Sequence, residues 1–177
     1  MKKILTVALL TALMLTIAVS ALAATGMGSV TNLTVKPAAD GANGSVSGNV
    51  TMCAIELDAE GKIVSVHFDV VQPKAAFDAA GAVVGESYME PRTKNELKEE
   101  YGMKKVSAIG KEVYEQIAHL EAWCVGKTVE EVVTTPTYDK GDGNHTNVPT
   151  DPDLASGCTI TIGDYLKALA KAAADAK

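Results

Sequence analysis

The sequence predicts an α+β fold: an antiparallel sheet from the N-terminal half, covered by two or three helices, with a C-terminal helix closing the chain. Three observations predict it. Runs rich in β-branched residues fill the first half, a helical period of apolar residues starts near Ser107, and the last residues form an Ala-rich run. The composition, 47% hydrophobic and 21% charged, is that of a globular protein.

The first 23 residues are typical of a secretory signal peptide. Met1-Lys2-Lys3 places positive charge first, an apolar run from Ile4 to about Val19 follows, and Ala21-Leu22-Ala23 supplies the small residues that a signal peptidase reads. Cleavage is therefore expected after Ala23. The alternative is an uncleaved membrane anchor, for which the apolar run is short. We expect an exported protein at the cell surface, in the periplasm or outside the cell, with membrane contact only through the signal peptide or a partner.

The charge and the cysteines exclude several classes of function. A formal net charge of −6 disfavours binding to nucleic acid, and an aromatic content of 5% disfavours a stacking platform for single strands. The cysteines at 53, 124 and 158 form no Cys-x-x-Cys pair, which argues against a structural zinc module. Export would permit a disulfide between Cys53 and Cys158, leaving Cys124 as a buried thiol.

Residues 24–45 are predicted to be a flexible N-terminal segment, because turn-forming residues such as those of 40–45 are abundant there. Three apolar residues could still make one short strand in it: Val30, Leu33 and Val35. The domain proper is predicted to span residues 46–177. The length of the chain after cleavage suits one domain with a substantial core.

A β-hairpin is the clearest local prediction. The runs 50–57 and 62–70 are rich in β-branched residues and are separated by the acidic turn Asp58-Ala59-Glu60-Gly61. Pro73 ends the second run, and 72–91 is predicted to be a loop with a short strand or turn.

Three helices are predicted after this loop. Thr93 and Glu96 have the spacing of a capping box, for a helix that ends near Gly102. A second helix runs from Ser107 to a C-cap at Gly126, because apolar residues recur on one stripe: Ile109, Val113, Ile117, Leu120 and Cys124. The last helix places four residues on one face: Leu166, Leu169, Ala170 and Ala173. Between them, 128–132 is predicted to be a short helix or turn, and 138–153 a long polar loop.

The segment from Asp153 to Asp164 has the residues for phosphate binding. Thr161-x-x-Asp164 is a capping pattern that would start the last helix at Thr161, so that Thr159 lies near the positive end of the helix dipole. Unpaired backbone N–H groups at such an end favour a phosphate. Ser156 and Gly157 add a hydroxyl and an unhindered amide. The alternative is that 158–162 forms a half-buried edge strand, because its residues alternate between apolar and Thr.

The run 153–159 resembles the covalent FMN-binding domain of exported bacterial electron-transfer proteins, whose usual motif is Asp-x-x-Ser/Thr-Gly-Ala-Ser/Thr. The matching residues are Asp153, Ser156, Gly157 and Thr159. Cys158 stands where the family has Ala. The segments 101–104 and 114–116 are similar to a subgroup of exported proteins that contains the treponemal major membrane immunogen. The likeness spans roughly 46–177, and only the motif is specific.

The resemblance implies FMN as the cofactor, either esterified through its phosphate to Thr159 by a flavin transferase or held without a covalent bond. It implies an extracytoplasmic electron carrier with a redox partner, rather than an enzyme with its own substrate pocket. The subgroup often lacks an intact attachment motif, and the likeness to it implies flavin that is held loosely or not at all. The alternative is therefore an extracytoplasmic binding or surface protein on the same scaffold without flavin.

Other side chains are secondary candidates. Four aromatic residues could pack a flavin ring: Tyr88, Tyr101, Trp123 and Tyr138. His145, in the polar loop, could touch a ligand. His119 is off the apolar stripe of its helix and is expected to face solvent, whereas His67 in the hairpin is expected to be structural. No metal ligand set is predicted, because the acidic residues of 139–144 lack EF-hand spacing.

Overall fold

The computed structural model describes residues 23–39, 41–85, 91–143 and 145–177. Residues 1–22 of the predicted signal peptide lie outside these ranges, as does Tyr88. None of the helices within the described ranges has the length and apolar character needed to span a membrane.

The predicted α+β class is confirmed. The main sheet is antiparallel and has five strands: β1 Ala24–Lys36, β2 Gly44–Leu57, β3 Ile63–Val71, β4 Lys74–Phe77 and β5 Val83–Val84. The long strand β2 pairs with β1 along one edge. Its other edge pairs with β4 at the N-terminal half and with β3 at the C-terminal half. A second, two-stranded sheet joins β6 Thr137–Tyr138, at the start of the predicted polar loop, to β7 Val148–Pro149 within that loop.

Five α-helices lie in the described second half: α1 Lys94–Leu97, α2 Val113–Cys124, α3 Val129–Val133, α4 Pro152–Ala155 and α5 Gly163–Asp175. Two 3₁₀ turns, 98–101 and 103–105, follow α1. Helices α2 and α5 cover the sheet, α2 over β3 and α5 over β1 and β2. The predicted capping box of α1 is present, since Thr93 Oγ1 accepts from Glu96 N at 3.2 Å and Thr93 N donates to Glu96 Oε2 at 2.7 Å.

The predicted hairpin is confirmed as β2 and β3, with Cys53 opposite Phe68. Its turn is closed by Asp58, whose Oδ1 accepts hydrogen bonds from Glu60 N at 3.0 Å and Lys62 N at 2.8 Å. Gly61 has φ of +76° in this turn, a conformation that glycine adopts without strain.

Residues 24–45 differ from the flexible segment expected from their composition, because 24–36 form β1 and pair with β2 in register from Ala24 opposite Leu57 to Lys36 opposite Ser45. Two glycines of this segment, Gly26 and Gly28, allow helix α5 to pack closely against the strand. A Cβ atom on Gly26 would lie 2.0 Å from the carbonyl oxygen of Ala172, and one on Gly28 would lie 2.2 Å from that of Ala168. Helix α5 therefore lies directly against the backbone of β1.

The core lies between the sheet and helices α2 and α5. Its centre includes Phe68, whose ring meets the ring of Tyr165 edge-on, with centroids 5.5 Å apart and planes at 89°. All three cysteines are free and buried. Burial raises the pKa of Cys53 and Cys124 to about 12 and that of Cys158 to about 11. The Cys53–Cys158 disulfide that export would permit is not formed.

Two helices begin later than predicted. Helix α2 starts at Val113 rather than Ser107, because Glu112 and Glu115 form a capping box at its N-terminus. Helix α5 starts at Gly163, and its buried face consists of Gly163, Tyr165, Ala168, Leu169 and Ala172. Ala170, which was predicted for that face, is exposed. The face differs because Tyr165 reaches Phe68, and the small Ala168 and Ala172 allow close approach to the glycines of β1.

Replacing Gly28 by Ala is expected to lower the free energy of unfolding by about 2–3 kcal/mol, because the added methyl group would force α5 away from β1. Chemical denaturation measures this. Ser29→Ala, one residue further along at an exposed position, is the control and should change the free energy by less than about 0.5 kcal/mol. Equal, small effects of both substitutions would show that the helix tolerates displacement.

Candidate functional site

A cleft of about 560 Å³ opens beside the predicted motif. Its base is formed by the sheet, and its walls by α2, the start of α5 and the residues that follow α1. Apolar and polar side chains both line it. The apolar ones are Val70, Met103, Val106, Ala108, Val113 and Ile160. A volume of this size is typical of sites for small organic molecules.

Thr159 lines this cleft and is half-buried. Its position is fixed by Gln116 of α2, whose Oε1 accepts hydrogen bonds from Thr159 N at 2.9 Å and from Thr159 Oγ1 at 3.3 Å. The amide group of Gln116 donates in turn to Ser107 Oγ at 3.2 Å and to the carbonyl oxygen of Lys111 at 3.3 Å. Gln116 is buried, with 1% of its surface exposed. The hydroxyl of Thr159 is thus held at the wall of the cleft by the side-chain amide of Gln116, whose NH₂ group already has two other partners.

The other three motif residues do not line the cleft. Asp153 is exposed on the short helix α4, and the hydroxyl of Ser156 donates to the carbonyl oxygen of Asp153 at 2.7 Å. Gly157 is buried against the ring of His119, and a Cβ atom there would lie 2.3 Å from Cγ of that ring. These residues shape the chain ahead of Thr159, and only Thr159 faces the candidate ligand site.

His119 was expected to face solvent, and the structure instead places it under the motif. One ring nitrogen, Nε2, lies 3.0 Å from the carbonyl oxygen of Asp153. Since the ring also fills the space beside Gly157, His119 connects α2 to the turn that precedes Thr159. His119 does lie off the apolar stripe of α2. The stripe could not predict that α4 packs against that side of the helix.

The predicted cap at Thr161 is absent. The N-cap of α5 is Ile162, without a side-chain hydrogen bond, and Asp164 instead accepts from Asn32 Nδ2 at 2.6 Å and Lys167 Nζ at 3.2 Å. Residues 158–162 form no strand either, which contradicts the edge-strand alternative. The buried Oγ1 of Thr161 has no hydrogen-bond partner, and this residue also lines the cleft.

Three basic side chains line the same cleft: Lys94, Lys140 and His145. His145 was predicted to be able to touch a ligand, and its Nδ1 lies 2.6 Å from Asp142 Oδ2. Lys94 is half-buried, with its Nζ 5.1 Å from the centroid of the Tyr101 ring. Burial lowers the pKa of Lys94 to about 8, although Asp69 opposes that shift. Asp164 is the carboxylate that lines the cleft, so the cleft is more basic than the acidic chain around it.

Two tyrosines supply the aromatic wall of the cleft. Tyr101 was one of the predicted candidates, and its hydroxyl donates to Gln72 Oε1 at 3.2 Å. Tyr165 was not predicted. Of the other candidates, Trp123 lies against Lys127, whose Nζ is 4.2 Å from its ring centroid, and Tyr138 is 46% exposed.

Several polar residues of the cleft were not predicted, although the sequence pattern around one of them, Gln116, indicates a special role. Gln116 occupies a position of the apolar stripe of α2, three residues after Val113 and four before Leu120. A polar residue at a core position indicates either a buried hydrogen-bond network or a site. Lys94, Asn49 and Thr161 left no such signal, because only the tertiary fold brings them together. The described residues hold no cluster of His, Cys, Asp or Glu suited to a metal ion.

Replacing Gln116 by Leu is expected to lower the free energy of unfolding by roughly 2–4 kcal/mol. The substitution leaves the N–H of Thr159 and the carbonyl of Lys111 without their partner in a buried setting. Gln72→Leu is the matched control, because Gln72 is exposed; its loss should cost less than about 1 kcal/mol. Denaturant titration of both variants distinguishes a buried network from a replaceable contact.

The lowered pKa of Lys94 predicts how the stability of the protein depends on pH. Because the pKa of Lys94 is lower in the folded state, the unfolded chain binds more protons than the folded protein between about pH 8 and pH 10. The free-energy cost of burying Lys94 therefore falls as the pH rises through this range. We expect Lys94→Met to be more stable than the unaltered protein at pH 7. That advantage should shrink by about 1 kcal/mol per pH unit above pH 8.

Thermal or denaturant unfolding of both proteins at a series of pH values measures this difference. Titration of the three buried thiols, whose pKa values are raised by burial, lowers the stability of both proteins together and cancels in the comparison. Tyr101 lies against Lys94, so the comparison is confined to pH values below the ordinary pKa of 10.0 of a tyrosine. A difference that does not change with pH would show that the Lys94 ammonium stays charged in the fold.

The cleft therefore combines a fixed hydroxyl, basic side chains, two tyrosine rings and an apolar wall. Such a site can hold an anionic molecule with an aromatic part. No family model, no curated protein and no solved structure matches this chain.

Proposed function

We propose that this protein is an exported FMN-binding domain that carries electrons, with the flavin phosphate esterified to Thr159. The observation that carries the proposal is the position of Thr159: the hydroxyl that matches the attachment residue of the motif lines a cleft of about 560 Å³. A hydroxyl sealed in the core would have been incompatible with attachment.

The phosphate has suitable groups around it. Helix α5 begins four residues after Thr159, and the first N–H groups of a helix have no partner within it. The hydroxyl of Thr161 is buried without a partner and can donate to a phosphate oxygen. Two lysines of the cleft, Lys94 and Lys140, add positive charge. These features support an anion at this end of the cleft.

The ring of the flavin also has a suitable surface. Tyr101 and Tyr165 line the cleft together with apolar side chains from the sheet, α2 and the segment before α2. An isoalloxazine ring is flat and largely apolar, so it can pack against such a wall and be shielded from water. When bound, the flavin supplies the redox chemistry, and this chain supplies binding, orientation and charge.

Gln116 would be the positioning residue for attachment. The Thr159 hydroxyl donates its proton to Gln116 Oε1, which leaves its lone pairs directed away from that contact. A carboxamide cannot take up that proton at neutral pH. The base is therefore expected to come from the flavin transferase, and this chain presents the acceptor hydroxyl to it. The transferase must supply the flavin as a dinucleotide: Thr159 Oγ1 forms the new bond to the flavin-side phosphorus, the phosphoanhydride bond breaks, and the nucleoside monophosphate leaves. A redox partner would then exchange electrons with the exposed side of the cleft.

One observation favours a second candidate, a binding or surface protein without covalent flavin. Asp153 and Ser156, which the transferase motif includes, are exposed on the outside of α4 and do not touch the cleft, and Cys158 replaces the usual Ala in the core. A transferase that requires the usual motif would leave this chain unmodified. The same cleft would then hold its ligand without a covalent bond.

Co-expression with a flavin transferase tests the proposal. We expect a fluorescent band on a denaturing gel and, in the intact protein, an added mass of one FMN less one water, because the ester bond replaces a phosphate hydroxyl and the hydroxyl proton of Thr159. Thr159→Ala should abolish both signals, and Thr159→Ser should retain them. Thr161→Ala is the matched control for a second hydroxyl in the cleft, and it should reduce but not abolish labelling. A colourless, unmodified protein would contradict covalent attachment and leave only the second candidate.

A further inference from the structure

Two buried oxygens in the described residues have no hydrogen-bond partner: Asn49 Oδ1 and Thr161 Oγ1. Both residues line the same cleft. An unpaired buried acceptor or donor destabilises the fold, so native proteins rarely keep one without a function. Two of them in one cleft indicate that a ligand or bound water completes the site.

The residue opposite Asn49 is also an asparagine, and the fold gives the side-chain N–H group of that residue a hydrogen-bond partner. Asn49 on β2 lies directly opposite Asn32 on β1, so both side chains are on the face of the sheet that α5 covers. Asn32 Nδ2 donates to Asp164 Oδ2 at 2.6 Å, at the start of α5. The two residues are of the same type and adjacent, but Asn32 is exposed, whereas the side-chain oxygen of Asn49 is buried and has no partner.

The chemistry of this oxygen defines what it can contact. A carboxamide oxygen is an acceptor only, so its partner must carry an N–H or O–H group. A phosphate oxygen cannot serve, because it is also an acceptor. Thr161 can donate to the phosphate, whereas Asn49 must contact a different part of the ligand.

We propose that Asn49 is a specificity-determining residue of the cleft, and that its side-chain oxygen accepts a hydrogen bond from an N–H or O–H donor of the bound ligand. This inference rests on the proposed function. In FMN, two groups have this chemistry: the imide N–H at N3 of the ring and the hydroxyls of the ribityl chain. A site with a buried acceptor strongly disfavours an analogue that lacks the donor, because the acceptor then stays unpaired.

Asn49→Leu distinguishes a binding role from a structural one by two effects of opposite sign. Leu has a similar size and removes the unpaired oxygen, so the protein without ligand should melt about 2–5 °C higher. Its affinity for free FMN should fall about tenfold or more, because the donor of the ligand loses its partner. A structural hydrogen bond would instead make the same substitution lower the melting temperature.

The experiment uses protein produced without a flavin transferase. Quenching of FMN fluorescence gives the dissociation constant, and thermal unfolding without flavin gives the stability. Asn32→Leu is the matched control: it should lower the melting temperature, since Asp164 loses a partner, and leave ligand selectivity unchanged. FMN methylated at N3 and an analogue without ribityl hydroxyls identify the donor. One of them should bind the unaltered protein at least tenfold more weakly than FMN, and Asn49→Leu should remove that difference.

The outcomes separate the two proposals. FMN binding that Asn49→Leu leaves unchanged, or equal binding of FMN and both analogues, would overturn the role of Asn49 and leave the proposed function intact. A lower melting temperature for Asn49→Leu would also overturn it, by showing that the oxygen has a partner within the protein. Failure of free FMN to bind the unaltered protein at all would overturn this inference and non-covalent flavin binding, whereas covalent attachment to Thr159 stands or falls by the labelling of protein co-expressed with a flavin transferase.

Discussion

The contact between helix α5 and strand β1 is the constraint on which the rest of the structure depends. At Gly26 and Gly28 the backbone of the helix lies where any side chain would have been. Because the helix is held so close, its first residue and the segment before it have little freedom. The residues from Thr159 to Thr161 are therefore fixed against the sheet, and the space left between them and the strands is the cleft.

A second contact connects helix α2 to the cleft. Gln116 joins α2 to Thr159 through two hydrogen bonds and to the segment before α2 through two more. Thr159 is thereby presented at the cleft wall, even though α5 lacks the side-chain cap that its sequence indicated. The motif itself is divided in space, since Gly157 packs on His119 and the exposed Asp153 and Ser156 belong to the outer surface. The outer part of the motif is thus separate from Thr159, which lines the cleft.

Local patterns predicted the local structure well. The hairpin around Asp58 and the capping box at Thr93 depend on residues close in sequence, and each is present. The extent of β1 could not be read from its composition, because its glycines are explained only by a helix that lies more than 130 residues later. The same limit applies to the site. Thr159 was predicted from its motif and lines the cleft, whereas Gln116 and Asn49 join that cleft only through the tertiary fold. The cap predicted at Thr161 is absent, and its hydroxyl has no hydrogen-bond partner.

The three buried thiols have a consequence for how the chain reaches its native state. None of them is joined to another, and burial keeps each protonated well beyond the pH of any cell compartment. Folding consequently requires no oxidant and no isomerase to sort cysteine pairs. The same native core can form in a reducing or an oxidising compartment, so the timing of its folding relative to any transport step is not set by thiol chemistry.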